Sequence, residues 1–167
     1  MADDITLREP TAEDGAELHA LVRTCKPLDE NSLYCNLLQC SHFSETCCVA
    51  EMDGRMVGFV SGYRPPKQAD VYFLWQVGVH PDAAGKGLAR RMIQHILARP
   101  VCAGVTELNT TITKSNEPSR ALFASLARHE GAEMKEEAFF TAEHFGGSGH
   151  EAEYLFRIGP LSTPPAA

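Results

Sequence analysis

The chain has 167 residues, of which 44% are hydrophobic and 22% are charged, and its formal net charge is −7. These values are typical of one globular domain, and the negative charge without a basic cluster argues against a nucleic-acid-binding surface. No apolar run approaches the roughly 18 residues that cross a membrane, and residues 1–4 do not begin a signal peptide. We therefore expect a cytoplasmic protein that contacts neither membranes nor nucleic acids.

Hydrophobic periodicity and turn residues predict elements in the order β-α-α-β-β-β-α-β-α-β-β. Thr11 with Asp14 is a capping pattern, Asp53-Gly54 is a hairpin turn, and Gly131 ends the last helix. In chain order the predicted elements are a strand at 5–8, a helix from Thr11 to about Thr24 that Pro27 ends, a helix within 28–43, strands at 46–52, 55–63 and 71–79, a helix from 88, a strand at 105–112, a helix from Asn116 to Gly131, and strands at 132–141 and 151–158.

The same pattern predicts one domain over residues 1–159, because no boundary or repeat interrupts it. Residues 160–167 are rich in proline and small residues and are predicted to be a disordered tail. At the start of the second helix, Asp29 or Asn31 could provide the cap, with Leu33 buried. Capping alone would explain these polar residues, and a functional role for them is the competing interpretation.

Six cysteines, at positions 25, 35, 40, 47, 48 and 102, show neither the spacing of a disulfide framework nor a zinc-binding pattern. Several lie in apolar stretches, so we expect buried, reduced thiols and no metal site. A metal- or redox-sensing protein is the competing interpretation, and it would require tight zinc binding or a reversible disulfide.

The segment from Val71 to Ile96 carries the strongest functional signal. An apolar strand ends at His80-Pro81-Asp82, Gly85-Lys86-Gly87 follows, and an amphipathic helix begins at Leu88. Such a loop gathers unpaired N–H groups at the positive end of a helix dipole, which suits a diphosphate. A Walker loop is excluded because it needs a glycine at position 80, and a dinucleotide fingerprint because it needs one at position 90. A strand-to-helix turn without a ligand remains an alternative for this segment alone.

The remaining pattern resembles motif A of the GNAT acetyltransferase superfamily, in which a strand leads into an Arg/Gln-x-x-Gly-x-Gly/Ala loop that holds the diphosphate of coenzyme A. Residues 82–87 align with this frame, with Asp82 in place of Arg or Gln. The resemblance implies an α/β (α+β) fold of the GNAT type, with a mixed, mostly antiparallel sheet of about seven strands, about four flanking helices, and strands 4 and 5 splayed. It also implies contacts with acetyl-CoA from Gln76, Val77, Val79, Gly85, Lys86, Gly87, Leu88, Ala89, Asn116 and Phe123.

Asn116 begins the helix that corresponds to the superfamily's second coenzyme-contacting segment. Many members carry on that helix a Tyr that returns a proton to the leaving thiolate. Its counterpart here is Phe123, which has no proton to donate. Another group, water or the thiolate itself must then take that role.

Four longer segments, 28–43, 75–81, 108–127 and 144–159, are similar to the L-2,4-diaminobutyrate acetyltransferase family of ectoine synthesis. This resemblance implies transfer of acetyl from acetyl-CoA to the γ-amine of L-2,4-diaminobutyrate, giving Nγ-acetyl-L-2,4-diaminobutyrate, without a metal. It also implies a role in osmotic stress through the compatible solute ectoine. A homodimer is expected because relatives commonly pair.

Within that resemblance, a carboxylate should bind the substrate's ammonium group and, directly or through water, accept its proton. Asp29 is the first candidate, Glu153 the second, His150 a base of a type that titrates near neutral pH, and Glu137 a weaker fourth. The backbone N–H of Val77 or Val79 is the expected oxyanion donor. Further substrate contacts are expected from Ser32, Tyr34, Asn109, Thr111 and Trp75, of which Trp75 would stack on the substrate or alternatively serve as a core aromatic.

Two rival functions remain open on the sequence alone. The chain could acetylate another small diamine or a protein amine instead of diaminobutyrate. It could also be a non-catalytic CoA-binding regulatory module, because Phe123 stands where the superfamily's usual acid is found.

Overall fold

The structure is a computed structural model that describes residues 4–26 and 28–162. Seven strands and four helices lie in these residues, and their order along the chain confirms the predicted one. Their bounds are β1 Ile5–Arg8, α1 Gly15–Thr24, α2 Leu33–Ser41, β2 Cys48–Met52, β3 Arg55–Tyr63, β4 Val71–Val79, α3 Leu88–Leu97, β5 Glu107–Thr113, α4 Glu117–Glu130, β6 Glu133–Phe140 and β7 Glu153–Gly159. None of these helices is long and apolar enough to cross a membrane.

The strands form one mixed sheet in the order β1-β2-β3-β4-β5-β7-β6. Neighbours β1–β2, β2–β3, β5–β7 and β7–β6 are antiparallel, whereas β4 and β5 are parallel. The parallel pairing places Val71–Leu74 of β4 opposite Glu107–Thr110 of β5. The prediction of a mixed, mostly antiparallel sheet is therefore confirmed.

The described chain divides into two compact units. The first contains residues up to 63 together with 75–103, and the second contains residues 64–74 and those from 104 onward. A single domain over 1–159 stays a prediction. Pro27, predicted to end the first helix, and residues 163–167 of the predicted disordered tail lie outside the described residues. Leu161 of the same tail is buried, and its N–H donates to the carbonyl oxygen of Thr106 at 2.7 Å.

The core of the first unit positions the glycine loop through α3. Leu88, Met92, Ile93 and Ile96 are buried on one face of α3, as the apolar stripe predicted. Gly58 of β3 lies beneath this face, where a Cβ would come within 3.0 Å of the Leu88 and Met92 side chains. The missing side chain therefore allows the helix that follows the loop to pack closely on the sheet.

The start of α2 differs from the prediction. Ser32 caps the helix, because its Oγ accepts a hydrogen bond from the Cys35 N–H at 3.0 Å, so the expected caps Asp29 and Asn31 were wrong. Leu33, expected to be buried, is 44% exposed. The reason is that a helix beginning at residue 33 turns positions 36, 39 and 40 inward, and Leu33 falls outside that face.

The entry to α1 yields a testable stability prediction. The guanidinium of Arg8 donates two hydrogen bonds of 2.8 Å to the buried carboxylate of Asp14, and this contact lowers the pKa of Asp14. Asp14→Asn should therefore lower the free energy of unfolding by about 1–3 kcal/mol at pH 7. Because the folded-state pKa is lowered, the difference from wild type should be full above the unfolded pKa of about 4 and should shrink as the pH falls through the lowered value.

Urea unfolding at pH 7 and at successively lower pH measures this difference. Asp53→Asn is the matched control, because Asp53 is exposed in the hairpin turn and its φ of 53° is one that Asn tolerates. A deficit for Asp14→Asn that is the same at every pH would contradict the assignment of the stability to the ion pair.

Candidate active site

The glycine loop joins β4 to α3 through two residues with left-handed backbone conformation. Gly85 has φ of 77°, and Gly87, which precedes the first helical residue, has φ of 64° and ψ of 26°. Residues with a Cβ rarely adopt these backbone angles, so glycine is strongly favoured at both positions. Gly87 cannot cap the helix with a side chain, and the N–H of Arg91 is already bonded to the Gly87 carbonyl at 3.1 Å. The helix therefore begins with amides that precede this bond and that an anion could bind.

Within the first unit, the loop is fastened to β3 by Asp82, the residue that departs from the GNAT frame. Its carboxylate accepts a hydrogen bond from Arg55 at 2.7 Å, and this contact lowers the pKa of Asp82. The Asp82 N–H donates to Nδ1 of His80 at 3.0 Å, and the His80 N–H donates to the carbonyl of Val57 at 2.7 Å. Asp82 thus holds the loop against β3.

The charges around the loop suit a diphosphate. The first turn of α3 contains Arg90 and Arg91 and no acidic residue, and Lys86 is exposed at the rim. A Cβ on Gly87 would lie 3.7 Å from Nη2 of Arg90, and the space around it is otherwise open. Positive side chains, helix amides and two glycines therefore fit the diphosphate of coenzyme A.

Gln76 of β4 holds the segment that contains Asp29. Its side-chain N–H donates to the Asp29 carbonyl at 2.8 Å, and its side-chain oxygen accepts from Asn31 at 3.1 Å. We call these two contacts the Gln76 clamp. Asp29 itself is exposed, and the next residue, Glu30, pairs with Arg23 at 3.0 Å. The sequence singled out Gln76 for coenzyme contact and did not reveal that its amide binds the Asp29 segment.

Trp75 lies in an aromatic cluster of the first unit. Its ring meets those of Phe43 and Tyr63 edge-on, with centroid distances of 6.5 and 5.9 Å, and it remains 37% exposed. This arrangement leaves part of the indole available to a ligand. Tyr34, at the start of α2, is 70% exposed. The sequence did not single out Phe43 and Tyr63, and no local signal links residues so far apart in the chain.

In the second unit, the side-chain amide of Asn109 has hydrogen-bond partners within the protein. Its amide faces two acceptors, Glu107 Oε2 at 2.9 Å and the Leu108 carbonyl at 3.2 Å, and the residue is buried. Glu107 also pairs with Arg157 at 3.0 Å. Thr111 is half-buried two residues further along β5. Substrate contacts from Asn109 and Thr111 stay predictions, and Asn109 has a structural role already.

The predicted coenzyme residues of the second unit are also placed by local structure. Asn116 caps α4, since its side-chain oxygen accepts from the Ser119 N–H at 3.2 Å. Phe123 is buried in the core, with 2% of its surface exposed. Contacts of these two residues with the coenzyme stay predictions.

Three candidate bases occupy different settings in the second unit. Nδ1 of His150 lies 2.6 Å from the Glu151 carbonyl oxygen, and the ring stacks on Phe145 at 4.0 Å between centroids. A carbonyl oxygen only accepts, so Nδ1 carries the proton and Nε2 is the acceptor. Glu153 is half-buried at the start of β7. Glu137 is exposed, and its carboxylate lies 3.7 Å from the guanidinium of Arg157, which neutralises part of its charge.

The cysteines lie within the described chain, and none of them forms a disulfide there. Burial raises the pKa of Cys47 to about 12 and the pKa values of Cys40 and Cys48 to about 11. Among the described residues, no group of three or more His, Cys, Asp or Glu side chains could hold a metal ion.

These pKa values predict selective thiol labelling. Iodoacetamide at pH 8 should modify the half-buried Cys25 and Cys35 of the native protein, Cys35 more slowly because burial raises its pKa too, and leave Cys40, Cys47 and Cys48 intact, because thiolate is the reactive form. Peptide mass mapping before and after unfolding in guanidinium measures the difference. Rapid native labelling of Cys47 or Cys48 would show that their burial is transient.

Comparison with known proteins places this geometry in a family. Residues 15–127 match the model of the acetyltransferase (GNAT) family. The L-2,4-diaminobutyric acid acetyltransferase of Vibrio cholerae is 51% identical over 157 residues, which cover 93% of this chain and 90% of that protein. That of Methylotuvimicrobium alcaliphilum is 48% identical and covers 97% of this chain and 94% of its own length. The chain belongs to the diaminobutyrate acetyltransferases of the GNAT family.

Solved structures agree with the family assignment. The diaminobutyrate acetyltransferase of Paenibacillus lautus, in complex with its substrate L-2,4-diaminobutyric acid and coenzyme A, superposes with a TM-score of 0.91 at 35% identity and covers 99% of this chain and 100% of that chain. The loading GNAT-like domain of CurA from Lyngbya majuscula has a TM-score of 0.71 at 16% identity, covers 94% of this chain and 98% of its own, and shares the fold alone. The predicted GNAT fold is confirmed.

Proposed function

We propose that this diaminobutyrate acetyltransferase family member transfers the acetyl group from acetyl-CoA to the γ-amine of L-2,4-diaminobutyrate. The products are Nγ-acetyl-L-2,4-diaminobutyrate and CoA. The observation that carries the proposal is the 51% identity with an L-2,4-diaminobutyric acid acetyltransferase over 93% of the chain. The match with the Paenibacillus enzyme bound to diaminobutyric acid and coenzyme A supports both substrates.

The glycine loop would bind the coenzyme's diphosphate. Helix amides of Leu88 and Ala89, with the backbone of Gly85 and Gly87, offer hydrogen-bond donors, and Lys86 adds positive charge. Acetyl-CoA supplies an activated thioester, and the backbone N–H of Val77, or alternatively Val79, would stabilise the negative charge that develops on its carbonyl oxygen. A coenzyme contact from Gln76 would use its backbone, because its side chain holds the Asp29 segment.

The amine must lose a proton before it attacks. An alkyl ammonium with a pKa near 10.4 is neutral in about one molecule per thousand at pH 7, which costs roughly 4–5 kcal/mol. The exposed carboxylate of Asp29 would bind this cation, and Trp75 would pack against the substrate's short chain. Ser32, Tyr34, Asn109 and Thr111 are the proposed contacts for the α-amine and α-carboxylate.

The proton acceptor we favour on geometry is His150. Its Nδ1 is oriented by the Glu151 carbonyl and its ring by Phe145, which presents Nε2 as a base. Glu153 is the second choice, and Glu137 is less suited because Arg157 neutralises it in part. The amine nitrogen then attacks the thioester carbon, and the carbon–sulfur bond breaks. The nitrogen gives up its second proton to the base or to water as the amide forms, and the thiolate takes a proton from water or from the protonated base, since Phe123 cannot supply one.

The family resemblance also bears on the enzyme's pathway, cellular location and oligomeric state. We infer that the product serves ectoine synthesis under osmotic stress, and that the enzyme acts in the cytoplasm as a homodimer without nucleic-acid or membrane partners. Size-exclusion chromatography with light scattering tests the dimer, and a mass corresponding to one chain at micromolar concentration would contradict it.

A substrate panel tests the proposed function. Thiol release from acetyl-CoA should depend on added amine, and kcat/KM should be highest for diaminobutyrate among diaminobutyrate, ornithine, lysine and putrescine. Proton NMR of the product should show acetylation at the γ-nitrogen. Equal or higher rates on another amine would overturn the substrate assignment, and CoA binding without amine-dependent thiol release would indicate a non-catalytic module.

A further inference from the structure

Two alternate residues of β4 hold the segment that contains Asp29. Besides the Gln76 clamp, Gly78 permits close packing, because a Cβ there would lie 3.1 Å from Cys25 Sγ and 3.2 Å from Leu28 Cδ1. Side chains alternate along a strand, so Gln76 and Gly78 share one face of β4. Both are buried, and Cys25, Leu28, Asp29 and Asn31 contact that face. A Gln inside an otherwise apolar strand is therefore explained by the segment that it binds.

A chain of buried polar groups supports the same part of β4. His19 Nδ1 lies 2.9 Å from the side-chain oxygen of Asn36, the Asn36 amide donates to Gln39 at 3.0 Å, and Gln39 lies 3.5 Å from Ser61 Oγ. Ser61 Oγ then accepts from the backbone N–H of Gln76 at 3.1 Å. The three residues that link His19 to Gln76 in this chain, Asn36, Gln39 and Ser61, are buried, with at most 1% of their surface exposed. The backbone of Gln76 is thus held by Ser61, while its side-chain amide bonds to the Asp29 segment.

We propose that Gln76 is a positioning residue that sets the place of the Asp29 carboxylate and thereby the enzyme's preference for diaminobutyrate over longer diamino acids. The inference rests on the proposed function. The Gln76 amide is bonded to the Asp29 carbonyl, so it restrains the backbone from which the exposed carboxylate projects. Val77, the proposed oxyanion donor, is the next residue of the same strand.

The distance from ammonium to thioester depends on this arrangement. The clamp ties Asp29, the proposed ligand of the reacting ammonium, to the strand that offers the proposed oxyanion donor, so it fixes where the reacting nitrogen lies relative to the thioester. The length of the substrate's side chain is then matched to the distance between two points, the α-end held by the proposed contacts of Ser32 and Tyr34 and the nitrogen position that Asp29 fixes. Ornithine is longer than diaminobutyrate by one methylene, and a site that distinguishes them must hold those two points firmly. Neither the side-chain nitrogen nor the side-chain oxygen of Gln76 needs to touch the substrate for this effect.

Steady-state kinetics of Gln76→Leu test the proposal. KM for diaminobutyrate should rise about tenfold and the preference for diaminobutyrate over ornithine should fall several-fold, as expected for losing one or two buried hydrogen bonds. KM for acetyl-CoA should stay within about twofold of wild type, because the clamp contacts the Asp29 segment rather than the glycine loop. A rise confined to KM for acetyl-CoA would overturn the proposal in favour of a coenzyme contact.

A double-mutant cycle separates positioning from a general structural effect. In the Asp29→Asn background, Gln76→Leu should add at most about twofold, because the carboxylate that it positions is already absent. Multiplicative effects of the two changes would overturn the proposal. Thr46→Val is the matched control, since the Thr46 hydroxyl also donates a buried hydrogen bond to a backbone carbonyl, that of Gly62 at 2.6 Å. It should lower the melting temperature and leave the substrate preference unchanged.

Asn31→Leu keeps the proposal testable if Gln76→Leu does not fold. It removes one of the two bonds of the clamp and leaves the bond from Gln76 to Asp29, so a smaller shift of about two- to fivefold in the same parameters is expected. An unchanged preference in a folded Asn31→Leu protein would overturn the proposal. Wild-type protein that fails to acetylate diaminobutyrate would instead refute the proposed function, which distinguishes the two failures.

Discussion

Gly87→Val should weaken acetyl-CoA binding by about 10- to 150-fold, the loss expected when one charge-assisted contact worth about 1.5–3 kcal/mol is prevented. Gly87 directly precedes the first residue of α3, with φ of 64°, and the space around its Cβ position is open apart from Nη2 of Arg90 at 3.7 Å. A branched side chain there would keep the diphosphate away from the helix amides. Isothermal titration with CoA and the KM for acetyl-CoA measure the effect.

Gly131→Val is a control that carries the same backbone strain. Gly131 ends α4 with φ of 63° and ψ of 29°, nearly the angles of Gly87, and nothing lies within 4 Å of its Cβ position. Both variants should lose stability alike, but only Gly87→Val should lose coenzyme affinity. Equal affinity losses would show that strain, rather than the diphosphate contact, is responsible.

Asp29→Asn should lower kcat/KM for diaminobutyrate by an order of magnitude or more. A hydrogen bond between a carboxylate and an ammonium contributes about 1.5–3 kcal/mol, and the neutral amide forms a weaker one with half the acceptor capacity. KM for acetyl-CoA should change little, because the variant alters the amine site alone. Initial rates with each substrate varied in turn provide the measurement.

Two further variants show whether that loss comes from the Asp29 carboxylate or from the change in net charge. Asp70→Asn removes an exposed carboxylate of the same charge in the loop before β4, so it accounts for the change in net charge and should keep wild-type kinetics. Asp29→Glu keeps the charge and should retain more activity than Asp29→Asn. If Asp29→Asn behaves like wild type, Asp29 does not bind the amine, and Glu153 becomes the first candidate.

Elements fixed by local chemistry were predictable from the sequence. The bounds of β3 and β4 agree with the structure to the residue, because Asp53-Gly54 adopts positive φ at both positions and defines the hairpin, and Pro81 breaks the strand that ends at Val79. The glycine loop was likewise recognisable, since positive φ at residues 85 and 87 strongly favours glycine at those positions.

Side-chain partners distant in sequence were not predictable. The contacts of Gln76 join residues 45 and 47 positions apart, and only tertiary packing brings them together. The wrong cap at the start of α2 has a different, local cause: Asp29, Asn31 and Ser32 are all residue types that cap helices, and the structure shows that Ser32, directly before the first helical residue, makes the bond. His150 was found as a residue type, whereas its tautomer depends on the Glu151 carbonyl in a loop of glycines.

The Gln76 clamp consists of amides and a carbonyl, none of which carries a net charge. Dissolved salt screens attractions between ions, with a screening length of about 8 Å at 0.15 M, but leaves short contacts between neutral dipoles almost untouched. The exposed pair of Arg23 and Glu30, which involves the residue after Asp29, belongs to the class of contacts that salt weakens. Rising ionic strength should therefore weaken the Arg23–Glu30 pair and leave the Gln76 clamp intact, so that the Asp29 carboxylate keeps its position in a concentrated electrolyte.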